Sequence, residues 1–313
     1  MESKMARKPR QIVILGAGIV GSALAAELSR REGVSVTVLE RGSAQRLVGS
    51  TGHAPGFVGI FNDAPVLTAL ARASVNCYQQ LSLAGCGGFD RVGGLEAATT
   101  VAFMSELERR AERASDSGIE ARILNPAEAA ACAHDLIDPA RCVGAVLYPD
   151  DGTARADVIT AALRNRAARS EVRFRFDTAV EAIDLQGDRV TGVRTSVGTF
   201  RADDIVVACG IWGEAVAAFV GFRLPITLVA HPYVYGPVRG RTERKQSFVR
   251  WPERHVYARD HGEQLGLGTY DHEPLEVAPA DLGRDAEQPW PGAIFDDAVA
   301  RALDLLPAAR RFT

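Results

Sequence analysis

The stretch from Gln11 to Glu40 constrains this chain more than any other. QIVIL (11–15) is a short run of β-branched and aliphatic residues of the kind a strand buried on both faces carries, and GAGIVG (16–21) follows without a gap. SALAAELSRREG then places Ala23, Leu24 and Leu28 at helical spacing and stops at Gly33, after which VSVTVLE (34–40) repeats the buried-strand pattern and ends on an acid. Strand, GxGxxG turn, helix, strand and acid, in that order, describe a dinucleotide-binding βαβ unit. Gly16 permits the tight turn, Gly18 lets the backbone approach a pyrophosphate, Gly21 lets the helix pack on the strand, and the helix N-terminus meets the phosphates. Glu40 is placed to accept hydrogen bonds from a ribose. An acid there disfavours a 2′-phosphate, so FAD or NAD is expected ahead of NADP. A glycine-rich turn that binds nothing is the competing reading, and the complete order of elements argues against it.

Length and charge narrow the partners. A chain of 313 residues with 47% hydrophobic content has enough apolar material for two moderate cores. The net charge of -3, from 36 basic and 39 acidic residues, supplies no strong field for nucleic acid or an anionic membrane, so a small-molecule partner is expected. Cys77, Cys86, Cys132, Cys142 and Cys209 form no CxxC pair. An odd count with no secretory pattern in MESKMARKPR fits reduced thiols in a cytoplasmic setting, with neither a metal cluster nor a disulfide framework. No window reaches the ~20 apolar residues of a membrane span, and no internal repeat is present.

After Glu40 the alternation of strands and helices does not continue. GSTGHAPG (49–56) sets His53 among small residues, PVLTALARASVNCYQQL reads as a helix, and VGGLEAATTVAF is strand-like. VAFMSELERRAERASDSG is a helix with a solvated charged face and no evident chemistry. YPDDGTARADVITAALRNRAARS reads as a turn leading into an amphipathic helix. VRFRF, TAVEAIDLQGDRVTGVRTS and GTFRADDIVVACGIW are short strands around a QGD turn, a β-meander pattern with a closing buried strand. HVYARDHGEQLGLGTY is again strand-rich.

On GAGIVG (16–21), GSTGHAPG (49–56), VGGLEAATT (92–100), YPDDGTARA (148–156), DIVVACGIW (204–212), AHPYV (230–234) and VYARDHG (256–262), the chain resembles the D-amino-acid-oxidase-like family of FAD-dependent amine oxidoreductases. Within it the likeness is to the dimethylglycine and sarcosine dehydrogenase/oxidase branch, and it runs through nearly the whole length. The resemblance implies an α/β fold: a Rossmann-type FAD-binding domain with βαβ unit and β-meander, discontinuous over 1–88 and 146–222, and an α+β substrate domain over 89–145 and 223–313. It implies FAD bound by Gly16, Gly18, Gly21, Glu40, Ser50, Thr51 and His53, with Trp212 beside it. In relatives with the S-T-x-H-A motif the histidine bonds covalently to the flavin 8α carbon, which carries over to His53, with Gly52 at the motif's variable position. Read from the residues alone, His53 fits a loop hydrogen bond or a pyrophosphate contact better than a special role, and Trp212 fits core as well as cofactor wall.

The same resemblance implies that His231 and Tyr257 face the substrate, although each also fits an ordinary edge strand. The implied activity is oxidation of a secondary or tertiary N-methyl amino acid by hydride transfer to flavin, giving an iminium, with O2 or an electron-transfer protein as acceptor. A histidine suits removal of the substrate ammonium proton, a tyrosine suits holding the amine or carboxylate, and Arg250 or Arg259 is a candidate carboxylate clamp. Relatives return to the flavin domain after the second substrate-domain segment, and dimethylglycine enzymes often add a folate-binding half. The sequence reads LPAARRFT at that point, so both are expected to be missing. A catalytically silent truncated flavin-domain remnant and an NAD-dependent dehydrogenase are the competing readings.

Overall fold

The computed structural model describes residues 8–240 and 245–307; residues 1–7, with most of the basic N-terminal stretch, residues 241–244, and residues 308–313, the end of LPAARRFT, lie outside it. The α/β class expected from the sequence is the one observed. A four-stranded sheet has the order Arg173–Arg175, Val34–Leu39, Arg10–Leu15, Asp204–Val207, with every neighbouring pair parallel. The last four residues of its two long strands, Ile12–Leu15 and Val36–Leu39, are buried and apolar apart from Thr37 because both faces are covered there. Ile12, Ile14, Val36 and Val38 pack with Ala25 and Ala26 of the helix Ile19–Leu28 and with Ile159 and Leu163 of the helix Ala156–Arg169. Val13, Leu15 and Leu39 pack against Ile183 and Val193 on the other side. Those two residues belong to an antiparallel meander, Val180–Gln186, Arg189–Thr195, Gly198–Arg201, the pattern anticipated around the QGD turn.

The glycine turn is fixed by contact as much as by conformation. Gly16 has φ +100, and a Cβ on Gly21 would lie 1.9 Å from the Gly16 carbonyl oxygen, so helix and strand meet with no room for a methyl group.

A second, seven-stranded sheet has the order Tyr233–Tyr235, Leu265–Thr269, Val256–Asp260, Phe248–Trp251, Gly94–Ala98, Gly144–Tyr148, Arg122–Leu124. Its pairs are antiparallel except Phe248–Trp251 with Gly94–Ala98, which run parallel. Gly144–Tyr148, which spans the boundary expected at residue 146, is a strand of this sheet. Strand alternation divides its side chains: Leu95, Ala97, Val249, Trp251, Val256, Ala258, Leu265 and Leu267 form a core with Ala129 of the helix Pro126–Cys132 and Ala302 of the helix Ala293–Leu303. On the opposite face the helix Val101–Asp116 packs Met104, Leu107, Ala111 and Ala114 against Val146 and Tyr148. Glu253 accepts from the Thr99 hydroxyl at 2.8 Å and the Thr100 hydroxyl at 2.9 Å, tying the start of that helix to the turn after Trp251.

Gly21→Ala should destabilise the protein by at least ~3 kcal/mol, the upper end of overpacking costs, because the obstacle is backbone rather than a movable side chain. Urea unfolding measures this; a midpoint unchanged from wild type would refute the packing described.

Candidate functional site

A cavity of about 1470 Å³ begins at the C-terminal ends of the parallel strands, beside Leu15, Leu39 and Val207, and runs to the seven-stranded sheet. Gly16, Gly18, Glu40 and Thr51 line one end; Glu96, Arg250, Tyr257 and Tyr270 line the other. Ligands of open parallel sheets bind beyond the carboxyl ends of the strands, where this cavity starts.

At the first end the polypeptide is braced around a space suited to a diphosphate. Glu40 accepts from the Ala17 N–H through Oε2 and from the Gly42 N–H through Oε1, each at 2.8 Å. The acid expected to meet a ribose therefore first holds the glycine turn itself, leaving its remaining lone pairs for a hydroxyl. Arg164 donates to the Ala17 and Ala44 carbonyls at 3.0 Å, and burial lowers its pKa despite the Glu40 charge. Thr51 Oγ1 accepts from the Ile19 N–H at 3.1 Å. The N-cap residue of the helix Ile19–Leu28 is Gly18, which has no side chain to cap it, and the first turn holds no acid, so apart from the Ile19 N–H its positive end is left open to an anion. Gly18 faces Thr51, whose Oγ1 would lie 3.0 Å from an added Cβ. These residues fit a bound dinucleotide. Trp212 also lines the cavity, with the Arg41 guanidinium 4.0 Å from its ring centroid, so it is wall rather than core. Beneath it, burial pushes the Cys209 thiol up to about 12.

The stretch GSTGHAPG forms the short helix Ser50–His53 and the turn after it. Ser50, Thr51 and Ala54 line the cavity, but His53 does not: its Nε2 lies 3.0 Å from Asp285 Oδ1. The small residue at 52 has a cause that the motif alone does not show. A Cβ on Gly52 would sit 1.8 Å from the Leu47 carbonyl oxygen. Residues 283–287 cross the outside of this loop as a strap: the Gly283 carbonyl accepts from Trp212 Nε1 and Arg41, Asp285 takes Arg46 as well as His53, and the Ala286 N–H donates to the Val48 carbonyl.

At the other end, strand register does the assembling. Arg250 is the Cα partner of Glu96 on one side and of Tyr257 on the other, and Tyr257 is the partner of Gly268. Glu96, Arg250 and Tyr257 therefore form a row on the cavity face, across strands ~4.8 Å apart. The Tyr257 ring lies over Gly268, where an added Cβ would be 2.2 Å from Cζ. Tyr270 and Phe57 flank it with ring centroids at 5.2 and 5.1 Å. Burial, and secondarily Tyr270, pushes the Tyr257 phenol up, so it stays protonated as a donor at neutral pH.

The other expected substrate-side residue, His231, does not line the cavity. Its Nδ1 lies 3.2 Å from His272 Nε2, and its ring meets Tyr270 edge-on at 4.6 Å, which places Tyr270 between it and the space. Burial and the neighbouring His272 lower its pKa. Of the two arginines considered as clamps, Arg259 is buried and donates to the Pro55 carbonyl at 2.8 Å, so it supports the turn after His53. Arg250 lines the cavity, and among the described residues its side chain forms no hydrogen bond or ion pair; its guanidinium lies 5.3 Å from the Phe248 ring centroid.

Sequence reasoning missed Glu96, Arg110 and Asp151. Glu96 is 8% exposed, and its Oε2 accepts from Arg110 Nε at 2.9 Å, so the helix read as having no chemistry sends an arginine to the cavity wall. A lone acid inside the otherwise apolar strand GLEAA was the available signal. Asp151 is 5% exposed and accepts from the Ile60 N–H at 2.8 Å. Burial raises its pKa to about 7 against that hydrogen bond and the Arg250 charge. Among the described residues no group of three or more His, Cys, Asp or Glu side chains is arranged to hold a metal, and no helix is long and apolar enough to cross a membrane.

The family model "FAD dependent oxidoreductase" matches residues 11–313, and the chain belongs to that family. FAD, rather than a nicotinamide, is thus the cofactor of its class. The chain is 26% identical over 302 residues to 4-methylaminobutanoate oxidase (formaldehyde-forming) of Paenarthrobacter nicotinovorans, covering 95% of this chain and 36% of that protein. It is 25% identical over 305 residues to mitochondrial dimethylglycine dehydrogenase of Homo sapiens, covering 96% of this chain and 35% of that one. The chain thus spans little more than a third of the length of these relatives. In three dimensions it is similar to L-proline dehydrogenase from P. horikoshii, with a TM-score of 0.80 at 21% identity, over 97% of this chain and 79% of that structure.

Two expectations follow from these contacts. Glu40→Ala should lower FAD retained through gel filtration far more than Glu108→Ala, since only Glu40 holds the glycine turn; equal flavin content in both would count against the role given to Glu40. Asp151 is raised in the folded state, so its contribution to stability is fully present below the ordinary carboxylate value of ~4 and is lost as pH rises through about 7. Urea unfolding should show stability falling between about pH 4 and about pH 7 and levelling off above, and Asp151→Asn should flatten that fall; identical slopes would refute the assignment.

Proposed function

We propose that this chain carries the flavin and substrate sites of an enzyme that oxidises a secondary or tertiary N-methyl amino acid, of the dimethylglycine or sarcosine type, to an iminium. One observation carries the reading. A guanidinium with no hydrogen-bond or ion-pair partner among the described residues, Arg250, stands beside a protonated phenol, Tyr257, on the aromatic wall of a cavity continuous with the dinucleotide turn. A small amino acid needs a cation for its carboxylate, an apolar enclosure for its methyl groups and a hydrogen-bond donor to orient it. The names of the two relatives above, each an N-methyl amino acid oxidoreductase, support the same class.

When bound, FAD supplies the acceptor for the hydride leaving the carbon next to nitrogen. The chain's own residues do the rest. Gly16, Gly18 and Gly21 let the helix end meet the diphosphate, Glu40 holds the turn and faces the ribose, and Ser50, Thr51 and Trp212 wall the middle of the cavity. Arg250 takes the substrate carboxylate and Tyr257 donates to it or to the amine. The amine must lose its proton before its lone pair can assist hydride departure. His231, with its pKa lowered, is the proposed base, and reaching the amine requires Tyr270, which it meets edge-on, to move aside. Electrons then pass to O2 or to an electron-transfer protein.

His53 is the proposed attachment point of the flavin. The resemblance of GSTGHAPG supports this, as do the cavity-facing positions of its neighbours Thr51 and Ala54. Attachment requires the imidazole to turn from Asp285 toward the cavity. Intact-mass measurement should show the FAD adduct on wild-type protein that carries flavin. His53→Ala should abolish the adduct and keep acid-extractable FAD, because the glycine turn and Glu40 hold the other end of the molecule. Wild-type protein whose FAD is fully released by acid would leave His53 outside the chemistry.

A further inference from the structure

Every carboxylate lining the substrate end of the cavity is tied to the helix Val101–Asp116. Arg110 Nε lies 2.9 Å from Glu96 Oε2, and its Nη1 lies 2.9 Å from Asp63 Oδ2. Arg113 Nε reaches Asp63 Oδ1 at 3.0 Å, and Arg109 Nη2 reaches Glu106 Oε2 at 2.6 Å. Glu106 and Asp63 are partly solvated, so their pairs contribute little. Glu96 is different, being 8% exposed and the register partner of Arg250. In-register neighbours on adjacent strands face the same side with Cβ atoms ~5 Å apart, close enough for a glutamate and an arginine to pair. They do not pair. Glu96 Oε2 is turned to Arg110, with the Tyr148 hydroxyl donating to the same oxygen at 3.5 Å. Asp151, the other acid near Arg250, is bound to the Ile60 N–H and also forms no ion pair with it.

We infer that Arg110 is a positioning residue that holds Glu96 away from Arg250 and so keeps Arg250 open as a receptor for a substrate carboxylate. Arg110 is itself anchored by Asp63, so its guanidinium is shared between two acids and held at a fixed place on the helix. Without it, Glu96, the in-register neighbour of Arg250, is released to pair with Arg250 and occupies the receptor from within. The site then loses its preference for carboxylate-bearing ligands without losing the residue that binds them. This inference rests on the carboxylate-anchoring role proposed for Arg250, and it concerns binding, not turnover.

The test uses the FAD-loaded full chain and two probes: methoxyacetate, a small carboxylate that is not an amine, and trimethylamine, which has no carboxylate. Binding is read by calorimetry and by the change in flavin absorbance. Wild type should bind methoxyacetate, and Arg250→Met should abolish that binding. Arg110→Ala should weaken it by about tenfold or more, as expected when a buried charged group finds a new partner, with trimethylamine binding changed less than twofold. Arg110→Lys should retain most of the affinity. The decisive variant is Arg110→Ala combined with Glu96→Gln, which should restore methoxyacetate binding to within about threefold of wild type by the same reasoning. A double variant as weak as Arg110→Ala would overturn the inference, showing that Arg110 binds the ligand itself or serves only the fold. Wild type that binds no methoxyacetate would overturn it too. Failure to oxidise N,N-dimethylglycine, with the carboxylate binding pattern intact, would refute the proposed reaction and leave this inference standing.

Discussion

The substrate end depends on one parallel strand pairing. Gly94–Ala98 and Phe248–Trp251 come from distant parts of the chain, and their register alone decides that Arg250 stands beside Glu96. A one-residue slip would turn Arg250 into the apolar core and bring Trp251 or Val249 onto the cavity face. The packing opposes such a slip, because Val249 and Trp251 are almost wholly buried on the far side with Leu95, Ala97 and Leu267. The polar row on one face is thus held in place by the hydrophobic alternation of the other.

How legible all this was in the sequence differs between the two ends. The nucleotide end is local: strand, turn, helix and second strand lie within thirty consecutive residues, so periodicity and glycine spacing describe it almost completely. The meander was equally readable, because its turns are marked by glycine and its strands alternate. The substrate end is assembled from strands far apart in the chain, and no spacing rule could pair Glu96 with Arg250 or bring Arg110 to either. His231 illustrates the same limit. The short strands on either side of it, Val229–Ala230 and Tyr233–Tyr235, were readable, whereas the intervening Tyr270 comes from another part of the chain.

The two ends are also held by different forces. The nucleotide end is a scaffold of backbone contacts in which side chains such as Glu40, Thr51 and Arg164 bond main-chain atoms and so fix the path of the loop. Even there the strap of residues 283–287 adds long-range polar contacts that no local pattern announces. The substrate end relies on charges restraining one another across a low-dielectric wall. The first arrangement tolerates changes of ligand poorly, because it is shaped to one molecule. The second can change its selectivity through single charged residues while the sheet behind it is unaltered.

The strand Leu265–Thr269 alternates its buried residues Leu265, Leu267 and Thr269 with two glycines, Gly266 and Gly268, and Tyr233 and Tyr257 occupy the space those glycines leave. Such a strand acts as a floor without furniture: pocket depth is set by side chains borrowed from its neighbours. Evolutionary change in substrate size therefore has two unequal routes. Trimming a borrowed ring deepens the pocket and leaves the sheet intact, whereas adding even one carbon to the floor displaces an aromatic side chain outward. A lineage that started from this chain would more easily come to accept bulkier ligands than come to exclude all but the smallest.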